Sequence, residues 1–203
     1  MKSVYTQLED YCRAKGYPWY TEPYRLNLVY LRGEGVGAWD DRCCVSWVDK
    51  SGMRFTRLIT VSTEASLEEW TNPTHPDGCI WIKDGCYVDA FEVGLHKGRP
   101  ALRQRKAFDY VRWTESGAPT FQDLMDLPEG LVFTAVRGTH HHNRVSAQEP
   151  DRPKDGDSEG CVLTKSQGDH IELMGLMAIQ VREARHKYLS PVFARKQTFD
   201  LWT

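Results

Sequence analysis

Between Leu26 and Val136 the chain breaks into short runs of β-branched, aromatic and other apolar residues. Each run is closed by glycine, proline or an Asp-Gly type turn, at intervals of about ten residues. Such punctuation leaves no room for long helices and points to an antiparallel or mixed β-domain. The clearest hairpin joins Cys43–Val48 to Met53–Val61 through Asp49-Lys50-Ser51-Gly52. Cys79–Ile82 and Tyr87–Val93 read as a second strand pair, and Ala107–Trp113 and Leu131–Val136 as further strands. Phe121–Met125 is at most a helical turn. Two stretches have helical period instead. Tyr5–Lys15 places Leu8, Tyr11 and Cys12 on one face, and from Asp169, a candidate N-cap, apolar residues recur at helical spacing to about Tyr188. Val192–Leu201 reads as a closing strand. The fold class expected is α+β, mainly β, with a late helix over about 169–188, in one domain of 1–203 whose first 24 residues form a helix and an arm.

Composition allows a real core, with 40% hydrophobic and 27% charged residues. A formal net charge of −2 gives no global attraction to nucleic acid, and the basic group Arg99, Arg103, Arg105 and Lys106 reads as a solvated loop or edge. Six cysteines in 203 residues do not make a disulfide framework. No membrane span is expected, and the N-terminus lacks the apolar segment of a signal peptide. The expectation is therefore synthesis in the cytoplasm.

The chemistry-bearing stretch runs from Arg137 to Cys161. It holds three adjacent imidazoles, His140, His141 and His142, then a loop rich in Pro, Asp and Gly, then Ser158-Glu159-Gly160-Cys161. Thiol attack on a carbonyl needs a thiolate, an imidazole to move the proton, and N–H groups for the oxyanion. Cys161 supplies the first, and Gly160 lets backbone and substrate approach closely. On an extended segment His140 and His142 point together and His141 away. His142 is the favoured base, with His140 second. The segment Gln148–Asp157, lying between the two parts, reads as an active-site loop.

A histidine, fifteen residues, then Ser158-x-Gly160-Cys161 resembles the signature of the L,D-transpeptidase (YkuD-like) catalytic domain, in a divergent phage or prophage form. Asn72-Pro73, Pro76-x-Gly78 and Gly94-Leu95-His96-Lys97-Gly98 resemble segments of the same relatives. Glu159 stands where the commoner form has a second histidine, and Arg137 could align with the usual base position. The resemblance implies a β-sandwich of mixed strands and a cofactor-free peptidoglycan enzyme. Cys161 would attack the bond between diaminopimelate and a D-amino acid in stem peptides, and the thioester would pass to an amine or to water. Ser158 would orient the loop, Gly160 and Cys161 would donate N–H groups to the oxyanion, and Arg137, with His141 and Glu159, would contact substrate. Without an export signal, action on the wall after lysis or by non-Sec delivery is the expectation, which favours a lytic or wall-editing role.

Two other classes stay open. One is a peptidoglycan- or virion-binding module that lost catalysis, motivated by Glu159. The other is a zinc hydrolase using two of the three histidines with Asp155, Asp157 or Glu159. A second conceivable zinc set, His75, Cys79, Cys86 and His96, fits no compact spacing.

Overall fold

The computed structural model describes residues 2–113, 117–126, 132–143 and 160–199. The chain opens with helix α1 (Val4–Ala14), capped by Ser3, whose hydroxyl accepts the Thr6 N–H. Tyr5, Leu8 and Cys12, at helical spacing, are buried. Strands β1 (Asn27–Arg32), β2 (Asp41–Val48) and β3 (Arg54–Ser62) follow as an antiparallel meander. The β2–β3 turn is held by the Asp49 carboxylate, which accepts the Ser51 and Met53 N–H groups.

β1 is buried along its whole length because both faces of the sheet are covered. Leu28 and Tyr30 enter the main core, while Val29 and Leu31 meet the apolar face of α1. Period two in the strand thus sorts neighbouring residues into two cores. A short helix, α2 (Leu67–Thr71), capped by Ser66, leads to β4 (Cys79–Ile82) and β5 (Gly85–Cys86). Then come β6 (Phe91–His96), β7 (Arg99–Gln104), β8 (Phe108–Trp113), α3 (Phe121–Asp126), β9 (Val132–Ala135) and β10 (His141–Asn143). The chain closes with β11 (Val162–Thr164), α4 (Gln167–Ile179), β12 (Tyr188–Leu189) and β13 (Pro191–Arg195).

Ten strands form one mixed sheet in the order β12-β6-β7-β10-β11-β3-β2-β1-β13-β5, and β4-β8-β9 form a second. Strands β12 and β13 belong to opposite ends of the large sheet, yet Ser190 alone separates them in sequence. The sheet must therefore curl until its two ends approach, and its inner side holds the main core of Tyr30, Phe91, Phe108, Tyr110 and Phe193. No helix among the described residues is long and apolar enough to cross a membrane.

The mainly β, α+β class expected from the turn spacing is what the chain adopts, with a late helix. Four local expectations are corrected. Cys79–Ile82 pairs with Phe108–Trp113, not with the next run in sequence, because Phe91–His96 forms a tighter hairpin with Arg99–Gln104. The basic segment from Arg99 is therefore a strand. Ser166, not Asp169, caps α4, accepting the Asp169 N–H on its hydroxyl. The helix also stops short of Tyr188. After Ile179 it widens into one looser turn, and the buried Gln180 accepts the Leu26 N–H and donates to the His186 and Tyr188 carbonyls. Arg185, with φ of +55°, takes the left-handed conformation that ends the helical run.

Candidate active site

β10 and β11 run parallel, with His141 opposite Val162 and the Val162 N–H donating to the His140 carbonyl at 2.9 Å. Parallel partners project to the same side, so His141 and Val162 enter the core, while His140 and Cys161 share the opposite face. His142 is on that face too, two residues along the strand. A cleft of about 460 Å³ opens there, lined by Cys161, Gly160, Thr139, Gly138, Arg137 and His142. The Cys161 sulfur, half-buried, accepts the main-chain N–H of His140 at 3.5 Å.

Gly160 is required on two counts. Its φ of +147° is one that side chains rarely adopt, and an added Cβ would come within 2.7 Å of Ile80 Cγ1 on β4. The small sheet thus presses directly on the residue before the thiol.

The three imidazoles have separate jobs, which their hydrogen bonds specify. His142 Nδ1 lies 2.7 Å from the Asn143 carbonyl oxygen. A carbonyl only accepts, so Nδ1 carries the proton and Nε2 keeps a lone pair. His140 is the reverse. Its Nδ1 accepts the Gln104 main-chain N–H at 3.1 Å, which places the proton on Nε2. His142 can therefore accept a hydrogen bond on Nε2, and His140 can donate one from Nε2. Burial is the main cause that lowers both to about 4, with neighbouring imidazoles adding to it, so both are neutral near pH 7. His96, from the end of β6, stacks on His142 with ring centroids 4.9 Å apart and lies 4.6 Å from His140.

His141 does not meet the expectation of a substrate contact. It is fully buried, with Nδ1 2.8 Å from the Tyr30 hydroxyl and Nε2 2.8 Å from the Thr164 hydroxyl. Thr164 also meets His170 Nδ1, and His170 Nε2 lies 2.9 Å from the Pro100 carbonyl. Because that carbonyl only accepts, the chain has one consistent direction. Tyr30 donates to His141, His141 to Thr164, Thr164 to His170, and His170 to Pro100. This buried relay ties β1, β10, β11, α4 and β7 together directly behind the cleft.

Gln104, at the end of β7, organises the front. Its Oε1 accepts the N–H groups of Arg137 (2.9 Å) and Thr139 (3.0 Å), and its Nε2 donates to the carbonyls of Lys106 and Ala135. One buried amide thus fixes both ends of the segment leading into β10. Thr139 is further held by the Tyr110 hydroxyl at 2.9 Å. Gln104→Leu leaves four main-chain groups unpaired at a buried position and should cost about 3 kcal/mol of stability. Denaturant unfolding checks this, and a loss below about 1 kcal/mol would contradict the assignment.

Of the residues singled out in the sequence, Cys161, Gly160, Arg137 and His142 line the cleft, and His140 adjoins it through its ring contact with His96. Ser158, Glu159 and the loop Gln148–Asp157 lie outside the described residues. Sequence reasoning missed Gln104 and Arg112, and it named His96 only in a conceivable zinc set and, with Lys97, in a segment resembling family relatives. Only His96-Lys97, inside a Gly-flanked turn, carried a local signal. Among the described residues no three His, Cys, Asp or Glu side chains are arranged to hold a metal ion. His140 could not offer Nε2 to one without giving up the Gln104 hydrogen bond.

Most of the other thiols of the chain lie deeper in the fold. Burial pushes Cys12 and Cys44 up to about 12, Cys86 to about 11, and Cys43 well above the ordinary thiol value. None of the protein-family models, curated proteins or solved structures compared with the chain matches it.

Proposed function

We propose that this chain is a cysteine-dependent peptidoglycan enzyme of the L,D-transpeptidase type, acting on stem peptides through a thioester on Cys161. The observation that carries the reading is the shared cleft of Cys161 and His142, in which the imidazole keeps its Nε2 lone pair available. The substrate class rests on the resemblance of the His and Ser158-x-Gly160-Cys161 block.

In the first step His142 Nε2 takes the thiol proton as the sulfur attacks the carbonyl of diaminopimelate. Neutrality of His142 is what makes it a proton acceptor, and the thiolate it creates supplies the counter-charge its protonated form lacks at rest. The developing oxyanion draws on the N–H groups of Gly160 and Cys161, the part the resemblance gives them, and on the Nε2–H of His140. Collapse of the tetrahedral intermediate breaks the amide bond. The terminal D-amino acid leaves with the proton returned by His142, and the acyl group stays on sulfur. An amine then takes that group in exchange or cross-linking, or water takes it in hydrolysis. A wall-editing or lytic role follows if water is the acceptor. Arg137 contacts a substrate carboxylate through its fork of donors.

The test is incubation with a diaminopimelate-containing stem tetrapeptide, with chromatography of the products. Release of the terminal D-amino acid, blocked by prior alkylation with iodoacetamide, is expected. Intact tetrapeptide after prolonged incubation would reject the reading.

A further inference from the structure

We propose that the cleft beside Cys161 selects anionic acyl donors, with Arg112 and Arg137 together holding a carboxylate of the substrate. This deepens the enzyme reading by naming what the substrate must carry, and it rests on Cys161 being a thiol reachable from the cleft.

The charge inventory is one-sided. Lys97, Arg112 and Arg137 line the cleft together with His75 and His96, and no aspartate or glutamate among the described residues does. The chain as a whole has a formal net charge of −2, so this is a local concentration against the overall balance. Clustered like charges repel one another when the cleft is empty, and a bound anion removes that penalty.

The Arg112 guanidinium is also fixed in place. Arg112 Nη1 donates to the main-chain carbonyls of Asp77 (2.9 Å) and Gly78 (3.1 Å), which spends both of its protons. Its Nε and Nη2 donate to no acceptor among the described residues. The Asp77 carboxylate sits 4.0 Å from Nη1 with a side chain 63% exposed, an ion pair at the rim of the distance range and in open solvent. Arg137 forms no ion pair among the described residues. Both guanidinium carbons lie 5.3 Å from the centroid of the Phe133 ring. Phe133 is in turn stacked on Tyr110, whose hydroxyl holds Thr139 in the cleft wall. Two planar forks set against one rigid aromatic platform, next to the nucleophile, match a carboxylate by geometry as well as by charge.

The experiment uses two alkylating reagents of nearly equal size, iodoacetate and iodoacetamide. Each forms a carbon–sulfur bond to Cys161 and expels iodide, the thiol proton passing to buffer, so only the reagent's charge differs. Rates at Cys161 are read by peptide mapping and expressed as the iodoacetate-to-iodoacetamide ratio, against the same ratio for a small free thiol. At low salt the ratio at Cys161 should exceed the free-thiol ratio by about tenfold. It should fall back toward that reference in Arg112→Gln, in Arg137→Gln, and in wild type at high salt or with excess acetate. A wild-type ratio equal to the free-thiol one, insensitive to salt and acetate, overturns the proposal whatever the variants do. Labelling of buried Cys43 and Cys44 would expose a variant that has unfolded, in which case the wild-type salt and acetate series decides. A raised ratio without tetrapeptide turnover would reject the enzyme reading and keep the anion site. Turnover with an unraised ratio would do the opposite.

Discussion

Cys161→Ala should abolish release of the terminal D-amino acid and leave the fold intact, while His142→Ala should lower that release by about a thousandfold. In the proposed mechanism the sulfur is the atom that carries the acyl group, so no neighbouring residue can substitute for it. Cys161 sits half-buried at the cleft wall, and losing one sulfur atom there removes little packing. His142 is weighted differently. Its Nε2 lone pair makes it the proton acceptor in the cleft, whereas His140 has its Nδ1 lone pair committed to the Gln104 N–H. His140→Gln should therefore cost less than His142→Ala, because an amide can still donate toward the cleft. Steady-state rates for the three variants, with circular dichroism to confirm folding, check the ranking. If His140→Gln is the more damaging, the two roles are exchanged.

The second large effect is on stability. Acidification should destabilise the protein steeply, beginning below about pH 6.5, the range in which unfolded histidines gain protons. His141 and His170 are buried in the relay behind the cleft, and burial holds both below the ordinary imidazole value, His141 far below it. In that range the unfolded chain binds protons that the folded chain refuses. Unfolding free energy therefore falls as pH falls, by about 1.4 kcal/mol per pH unit for each such ring, until the folded rings titrate. Even one ring at that full slope is a sizeable fraction of the total stability of a domain of ordinary size. His140 and His142, also depressed, act in the same direction. Asp41 opposes them, because burial raises its carboxyl and the folded state takes that proton first. Chemical denaturation between pH 8 and pH 5 measures the slope. His170→Gln, which keeps a donor for the Pro100 carbonyl, should make the slope shallower. A flat profile would mean that the relay histidines protonate without cost.

Much of the site was legible because its parts are local. The glycine before Cys161, the alternation of three histidines and the arginine at 137 are neighbours along the chain, and strand period alone sorts His140 and His142 from His141. What the alternation could not say was what waits on the inner side. Tyr30, Thr164 and His170 reach His141 from distant segments, so a residue that looked like a substrate contact is a core histidine. Gln104 and Arg112 were silent for a related reason. Each acts across strand pairings, β7 with β10 and β4 with β8, that no local pattern specifies. β7 itself was hidden by its composition, since Arg99, Pro100 and Arg103 are exposed and only Ala101, Leu102 and Gln104 are buried. The end of α4 was misjudged because helical period continues past Gln180, whereas the backbone turns left-handed at Arg185.

The most direct measurement is intact mass and peptide mapping of the protein after brief exposure to the stem tetrapeptide. The account predicts an added mass equal to the acyl group, confined to the peptide carrying Cys161 and released by hydroxylamine. Consumption of the tetrapeptide with Cys161 unmodified, or a Cys161 that neither acylates nor alkylates at neutral pH, would contradict it.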